Sequence, residues 1–400
     1  MVFRERDALY LLSALLEQVP GMRSYTVARV WGIPIRVNTS LLVFLPILAW
    51  LIGAGGQIEL YAGLIEALTG VGFDVPALRA APTPWIIGVA AAVGLFVGVT
   101  LHELGHSWVA LRYGLEIESI TLWILGGIAS LTSVPREWNR EFWIAIAGPV
   151  VSVLVAAASY AALLVVPPGL QVLRFVLGWL AIVNIVLAGF NLLPAFPMDG
   201  GRILRALLAR SRPYAMATRT AARVGVVFAF LFGLLGVLSF NLILILLAWF
   251  LYSAATTESR TVLTDELLQG LSVGDIMTSD PRTVSADTTV GAFVDRLLRD
   301  RQTVYPVTDT SGEPVGVVTI EDLRDVPTSE RETTRIEAVM GEPFRVAAAA
   351  DAFETLSLLR GSGARAALVE DDGVVTGVLS DADFAHVLTI QRGFRTSVSG

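Results

Sequence analysis

The chain has 400 residues, of which 54% are apolar and 16% charged, with a formal net charge of −7 and no cysteine. Globular domains carry about 25% charged residues, so the composition excludes an ordinary soluble enzyme. Without cysteine, disulfides and thiolate metal sites are excluded, and any metal must bind to His, Asp or Glu.

Charge and hydropathy divide the chain in two. Residues 1–255 hold 16 Arg against 12 acidic residues, whereas residues 256–400 hold 13 Arg against 24 and lack any apolar run of membrane-spanning length. The acidic tail argues against nucleic acid as a partner. Arg is the only basic residue type, which suggests a prokaryotic, halophilic archaeal source. We expect a membrane domain at 1–255, a linker at 256–270, and tail domains at 271–330 and 331–400.

Six apolar segments approach the roughly 20 residues that span a bilayer. They are residues 39–54, 84–111, 142–166, 171–195, 221–238 and 240–256. Residues 60–73 are interpreted as an external loop because they contain one acidic residue and are flanked by others. Arginine is concentrated before the first segment and between the fourth and fifth, which places both termini in the cytoplasm. The predicted fold is a polytopic α-helical membrane protein of about six spans, located in the cell membrane, with a soluble α/β tail.

Residues 116–131 are rich in β-branched residues and contain a Gly pair. This composition predicts a β-hairpin that dips toward the membrane. Non-helical backbone at that depth must be covered by protein or must border a polar cavity.

The second span contains the motif H-E-L-G-H at residues 102–106. Residues i and i+4 share a helix face, so His102 and His106 can hold one metal ion side by side. Glu103 can then reach a water as general base. The alternative is a helix whose polar residues are satisfied inside a bundle, but ionisable residues within a span are functional by default. The motif predicts a catalytic zinc site that needs one further protein ligand.

Asp199 is the best candidate for that ligand, because it is the only acidic residue between Glu141 and Glu258. Pro194 and Pro197 interrupt the helix before it. Two imidazoles and one carboxylate form a known catalytic zinc set. The alternative is that Asp199 caps the next helix.

Two further polar residues have open roles. Asn191 lies seven residues after Asn184, on the same helix face. Either amide could stabilise a helix interface. We favour a catalytic role for Asn191, as a hydrogen-bond donor to the oxyanion of a hydrolytic intermediate. His386, in the tail, is interpreted as a packing residue.

The order of these motifs resembles the site-2 protease family. The H-E-x-x-H motif is followed by Gly148, Pro149 and Ser152 in the next span and by N-x-x-P-x-x-x-x-D-G on a later one, and G-I-P-I precedes the first span. Met198 and Ser152 stand where Leu and Asn are common in the family, but neither departure removes a metal ligand.

The resemblance implies one zinc ion per chain, bound by His102, His106 and Asp199. It also implies Glu103 as the base and Asn191 as a hydrogen-bond donor in the transition state. The partners it implies are the lipid bilayer and a transmembrane protein substrate, cut in or near its membrane-spanning segment.

The tail contains an internal repeat. One copy runs from D-I-M-T-S-D-P to G-V-V-T-I-E-D-L (275–323) and the other from A-V-M-G-E-P to G-V-L-S-D-A-D-F (338–384). Each copy predicts a short strand, an amphipathic helix, two strands around a turn, and a final helix.

The repeat resembles a tandem pair of CBS domains. This implies an adenosine ligand such as AMP or ATP, a homodimer formed through the tail, and ribose or phosphate contacts from four residues: Thr319, Asp322, Ser380 and Asp383. Ser or Thr with an acid three residues later is also an ordinary helix-start pattern, so the structural alternative stays open.

Two other functions fit parts of this pattern. A transporter or channel gated by the tail predicts polar residues spread through several spans, whereas here they converge near one depth on the second and fourth. An inactive membrane scaffold is disfavoured because Glu103 is intact.

Overall fold

The computed structural model describes residues 23–54, 56–124, 126–131, 136–297, 300 and 302–397. The chain forms two compact units that divide between Thr261 and Val262, and each unit is described by itself.

The first unit contains a four-stranded sheet with the order β1-β2-β3-β4. Its strands are β1 (Ser24–Val30), β2 (Ile33–Asn38), β3 (Ile117–Trp123) and β4 (Gly126–Leu131). β1 and β2 form one antiparallel hairpin, β3 and β4 form another, and β2 pairs with β3 in parallel. The hairpin predicted at 116–131 is therefore confirmed. Within the described residues β4 is an edge strand.

Nine helices are described in the first unit or begin there. In chain order they are α1 (Thr39–Gly53), α2 (Gln57–Thr69), α3 (Val75–Arg79), α4 (Thr83–Arg112), α5 (Trp138–Val165), α6 (Gln171–Asn191), α7 (Asp199–Ala209), α8 (Tyr214–Leu238) and α9 (Leu242–Leu268). In the described part of the chain, five helices (α4, α5, α6, α8 and α9) are long and apolar enough to cross a membrane, or six spans if the bent pair α1 and α2 counts as one. All six predicted segments are mainly helical, and the protein is a multi-pass membrane protein.

Helix α2 corrects the interpretation of residues 60–73 as a loop, because most of them are helical. Ile58, Ala62 and Ile65 recur at helical spacing and are at most 2% exposed, packed in the core that α1, α4 and α6 also line. The two acids inside α2 lie outside this buried stripe, so they do not oppose its burial. Gly70, in the left-handed conformation (φ 72°), ends the helix.

Two helix boundaries differ from the hydropathy segments. The fourth segment ends at Asn191 rather than 195, because Pro194 follows and cannot donate a helical hydrogen bond. The sixth continues to Leu268, so α9 runs through most of the predicted linker at 256–270.

The second unit repeats one α/β arrangement. Its elements are α10 (Val273–Ile276), β5 (Thr278–Ser279), β6 (Val284–Ser285), α11 (Val290–Leu297), β7 (Val304–Thr308), β8 (Pro314–Thr319), α12 (Ile320–Arg324), a 3-10 turn (Ile336–Ala338), β9 (Phe344–Ala347), α13 (Ala352–Ser362), β10 (Ala366–Asp371), β11 (Val374–Ser380) and α14 (Asp381–Ser397). Strands form the sheets β6-β7-β8 and β5-β11-β10-β9. The predicted order of elements is present in both copies.

Candidate active site

Helices α4 and α7 bring His102, His106 and Asp199 together. The Asp199 Oδ2 atom lies 3.1 Å from Nε2 of His102 and 3.2 Å from Nε2 of His106. The two Nε2 atoms are 3.1 Å apart. Ligand atoms on one tetrahedral zinc ion are separated by about 3.3 Å, given Zn–N and Zn–O bonds of about 2.0–2.2 Å. The three atoms thus have the spacing of a zinc ligand set.

Helix α5 sets the orientation of both imidazoles. Nδ1 of His106 lies 2.7 Å from the Ile144 carbonyl oxygen, and Nδ1 of His102 lies 2.9 Å from Oγ of Ser152. A carbonyl oxygen only accepts, so His106 carries its proton on Nδ1 and presents a lone pair at Nε2. The buried Ser152 hydroxyl can accept in the same way from His102.

Charge also indicates a cation at this position. With Nδ1 protonated on each ring, the facing atoms are two imidazole lone pairs and one carboxylate oxygen. With both rings neutral, three acceptors at 3.1–3.2 Å repel one another unless a metal cation lies among them, whereas an additional proton on Nε2 of either ring would be shared with Asp199. His102 and Asp199 are buried, so bulk water does not offset this repulsion. The donor set fits zinc, for which imidazole and carboxylate are common ligands.

Gly148 on α5 keeps this space open. A Cβ atom at Gly148 would lie 2.7 Å from Nε2 of His102 and closer still to Nε2 of His106. Any larger residue would therefore occupy the region between the two imidazoles. Gly105 on α4 allows that helix to lie close to α5, since a Cβ atom there would lie 3.0 Å from the Ala147 carbonyl oxygen. Small residues that let two membrane helices approach closely are typical of such interfaces.

The β4 strand passes directly over Glu103. A Cβ atom at Gly127 would lie 2.5 Å from Cγ of Glu103 and 3.1 Å from its Oε1. Glycine in a strand often marks such a close approach. Gly127 thus places the exposed edge of the sheet beside the carboxylate that follows His102.

Glu103 and the three candidate ligands line one cavity of about 580 Å³. Gly126, Gly127 and Ala129 of β4 form one side of it. Its wall is mostly apolar and includes Trp123, Phe190, Trp249 and Phe250. Asn191, the last residue of α6, also lines the cavity. The cavity is therefore mostly apolar with a few polar groups, as ligand sites are.

Comparisons with known proteins identify the family of this chain. The chain matches Peptidase family M50 over residues 90–174 and 169–232 and the CBS domain over residues 273–328. The protein Rip3 of Mycobacterium tuberculosis is 33% identical over 381 residues, which cover 91% of this chain and 92% of Rip3. The chain belongs to peptidase family M50, the site-2 protease family.

A curated protein and a solved structure from Methanocaldococcus jannaschii also match this chain. Zinc metalloprotease MJ0392 is 37% identical over 299 residues, covering 74% of this chain and 84% of that protein. A solved site-2 protease structure is 35% identical, covers 60% of this chain and 96% of its own, and has a TM-score of 0.40. This M50 protein is therefore a membrane-embedded zinc metalloprotease with a CBS domain, and the transporter alternative is set aside.

The structure also bears on the alternatives for the polar residues. Asp199 is the first residue of α7 and its side chain does not cap that helix. Asn184 is fully buried and donates to the Leu180 carbonyl oxygen at 2.9 Å, as expected for a structural amide. Asn191, by contrast, borders the cavity. His386 is exposed on α14, so the predicted packing role is wrong.

The four candidate nucleotide residues of the M50 protein form helix caps. The Oδ2 atom of Asp322 accepts from the backbone N–H and hydroxyl of Thr319, and Asp383 does the same for Ser380. The second carboxylate oxygen of each is also contacted, by Arg365 at 2.6 Å and by Thr278 at 3.0 Å respectively. The helix-start alternative therefore describes part of what these residues do.

Sequence reasoning missed several residues around the site. Ser152 and Gly148 are recognisable as a motif, but their contacts with the imidazoles require the packing of α5 against α4. The wall that α9 contributes comes from its first ten residues, 242–251, which are all apolar and give no signal of which face lines a cavity. Arg205, which is 1% exposed, also went unnoticed among the five arginines between the fourth and fifth segments.

Proposed function

We propose that this protein hydrolyses peptide bonds in or near the membrane-spanning segments of other membrane proteins, with His102, His106 and Asp199 as the zinc ligands. The observation that carries the proposal is the triangle of three acceptor atoms, 3.1–3.2 Å apart, at the wall of a cavity that Glu103 also lines. Regulated intramembrane proteolysis is the activity this arrangement would perform.

Each polar group then has one role. Bound zinc would supply Lewis acidity that polarises a carbonyl and acidifies a water. Glu103 would accept the proton of the attacking water and deliver it to the leaving amine. Asn191 would donate a hydrogen bond to the oxygen on which negative charge develops. Nδ1 hydrogen bonds to Ile144 and Ser152 would keep the imidazoles fixed throughout.

The edge of β4 would receive the substrate. A helical peptide hides its carbonyls in i to i−4 hydrogen bonds, so the substrate helix must unwind before it can be cut. An extended segment added to the free edge of β4 would regain its backbone hydrogen bonds. Gly127 brings that edge against Glu103, so a strand paired there lies next to the general base. The apolar cavity wall would accommodate membrane-type side chains.

Water and the tail would control when cleavage occurs. The arginine distribution favours cytoplasmic termini, and we propose that water enters from that side. AMP or ATP would bind to the CBS pair through Thr319, Asp322, Ser380 and Asp383 and modulate activity. Formation of a homodimer through the same domains would be compatible with this regulation of activity.

Cleavage of a single-span substrate by the purified full chain in detergent tests the proposal, with bound zinc quantified. Glu103→Gln should lower the rate by about 10²–10⁴-fold, the usual contribution of a general base, while zinc is retained. Glu66→Gln, which neutralises an exposed acid on α2, is the matched control and should cut normally. Zinc-free wild-type protein would refute the metal site, and equal cleavage by Glu103→Gln would refute the base.

A further inference from the structure

Arg205 is a fully buried charge outside the ligand set. It lies on α7 and is the largest side chain in the described residues with under 2% exposure. Its Nε and Nη2 atoms lie 2.6 Å from Oε1 of Glu141, and its Nη1 contacts Glu258. Its guanidinium lies 5.0 Å from the centre of the Phe196 ring and 4.9 Å from that of Tyr214. One side chain therefore joins α5, α7, α9 and the turn before Asp199.

Stability alone does not account for such a group. Burying ions costs desolvation, and apolar side chains of similar volume often give equal or greater stability. Glu141 and Glu258 are 4% and 9% exposed, so water does little to offset the cost. A buried network of this kind is better explained by the relative placement of the helices that it connects. The residues around Arg205 indicate which helices these are.

Helix α5 contacts both candidate histidine ligands and Arg205. Its Ile144 carbonyl accepts from His106, its Ser152 hydroxyl faces His102, and its Glu141 binds Arg205. Two of the candidate ligands are thus oriented by α5 directly. The third, Asp199, lies on α7, which packs along α5 and is bound to it by the ion pair between Arg205 and Glu141.

The segment that carries Asp199 is rigid enough to transmit this constraint. A Cβ atom at Gly200 would overlap the carbonyl oxygens of Leu192 and Leu193, and one at Gly201 would lie 2.7 Å from the backbone nitrogen of Phe196. The start of α7 therefore packs directly on the backbone of the preceding turn. A shift or rotation at Arg205, six residues and about 9 Å along the helix, moves Asp199 with it.

We propose that Arg205 is a positioning residue for Asp199, anchored mainly by Glu141 and secondarily by Glu258. The inference rests on the zinc site proposed above. Groups hydrogen-bonded directly to metal ligands change metal affinity by about 10–100-fold when removed, and Arg205 acts one step further away, so its effect should lie at the lower end of that range. Glu141 should matter more than Glu258, because Glu141 belongs to the helix that also orients both imidazoles.

Zinc affinity of the folded, full-length protein, measured by chelator competition in detergent, tests the inference independently of proteolysis. We expect Arg205→Met to weaken zinc binding by about 10-fold, the lower end of the range for groups that contact a ligand directly. Arg205→Lys keeps the positive charge but loses the planar guanidinium group. Its zinc affinity should therefore lie between those of Arg205→Met and wild type. Glu59→Gln is the matched control, since it removes the charge of an exposed glutamate paired with Arg79.

The outcomes separate this inference from the proposed function. Failure of wild type to bind zinc would overturn the site itself. If wild type binds zinc and the folded Arg205→Met variant binds it with the same affinity, only the positioning role is overturned. This holds even if the zinc-free variant melts at a lower temperature than wild type. If both Arg205 variants fail to fold, Glu141→Gln and Glu258→Gln decide. Weaker zinc binding in Glu141→Gln than in Glu258→Gln supports the proposal, and unchanged affinity in both refutes it.

Discussion

Gly148→Ala places a methyl group in the space assigned to the metal. The added Cβ would lie 2.7 Å from Nε2 of His102, and nearer to Nε2 of His106. Non-bonded heavy atoms prefer a separation of about 3.5 Å, so His102 must move by about 0.8 Å and His106 by more. Zinc–ligand distances hold within about 0.2 Å, and this displacement exceeds that tolerance several-fold.

The expected loss of zinc affinity follows from that displacement. Changes to residues that only orient the ligands cost about 10–100-fold. Direct displacement of two ligands should cost more than about 100-fold, which is about 2.8 kcal/mol of binding free energy. The backbone of α5 itself should tolerate alanine, because alanine favours a helix over glycine.

Gly189→Ala is the matched control for this experiment. Gly189 also lies within a membrane helix, α6, but its Cβ would meet nothing within 4 Å. Both variants should remain folded, as judged by helical circular dichroism, and chelator competition should show a zinc defect in Gly148→Ala alone. Zinc affinity in Gly148→Ala equal to that of Gly189→Ala would refute the placement of the ion between the two imidazoles.

Three further predictions concern the rest of the chain. Ser152→Ala should weaken zinc binding by about 10–100-fold in the same competition assay, because the His102 ring loses its partner. Gly127→Val should displace Glu103 and lower cleavage of a single-span substrate by at least about 100-fold while zinc affinity is unchanged. Asp322→Asn should weaken AMP binding to the full chain, measured by calorimetry. Asp275→Asn, which alters a capping box of the same type, should leave AMP binding intact.

The sequence predicts which candidate ligands lie together where local spacing determines geometry. His102 and His106 share a face because one helical turn separates them, and the apolar segment around them makes the helix certain. Asp199 could be singled out because the membrane region has so few acids. Whether it capped a helix or faced the imidazoles could not be decided, since both roles suit an Asp before Gly-Gly. The contacts of Asp199, the first residue of α7, with the imidazoles of α4 resolve that question.

The parts that escaped prediction depend on contacts between distant segments. The acidic residues near 60–73 suggested a loop, but the helical spacing of Ile58, Ala62 and Ile65 was the stronger signal. Arg205 reads as one of several cytoplasmic arginines, and only its burial between Glu141 and α9 distinguishes it. In a chain where most surfaces are apolar, hydropathy cannot separate a face that meets lipid from one that lines a cavity.

The two breaks in helical structure at the site have a common physical reason. Backbone outside a helix cannot face lipid, because its polar groups would lack partners, so it must border protein or a polar cavity. Here β4 and the turn at 192–198 both border the cavity that contains Glu103. The proposed hydrolysis would need water and an unwound peptide at the same place, and a wall of uninterrupted helices would admit neither. Under this proposal, a strand edge next to a break in a helix would admit both, which would explain why Glu103 and the candidate ligands lie where the regular spans end.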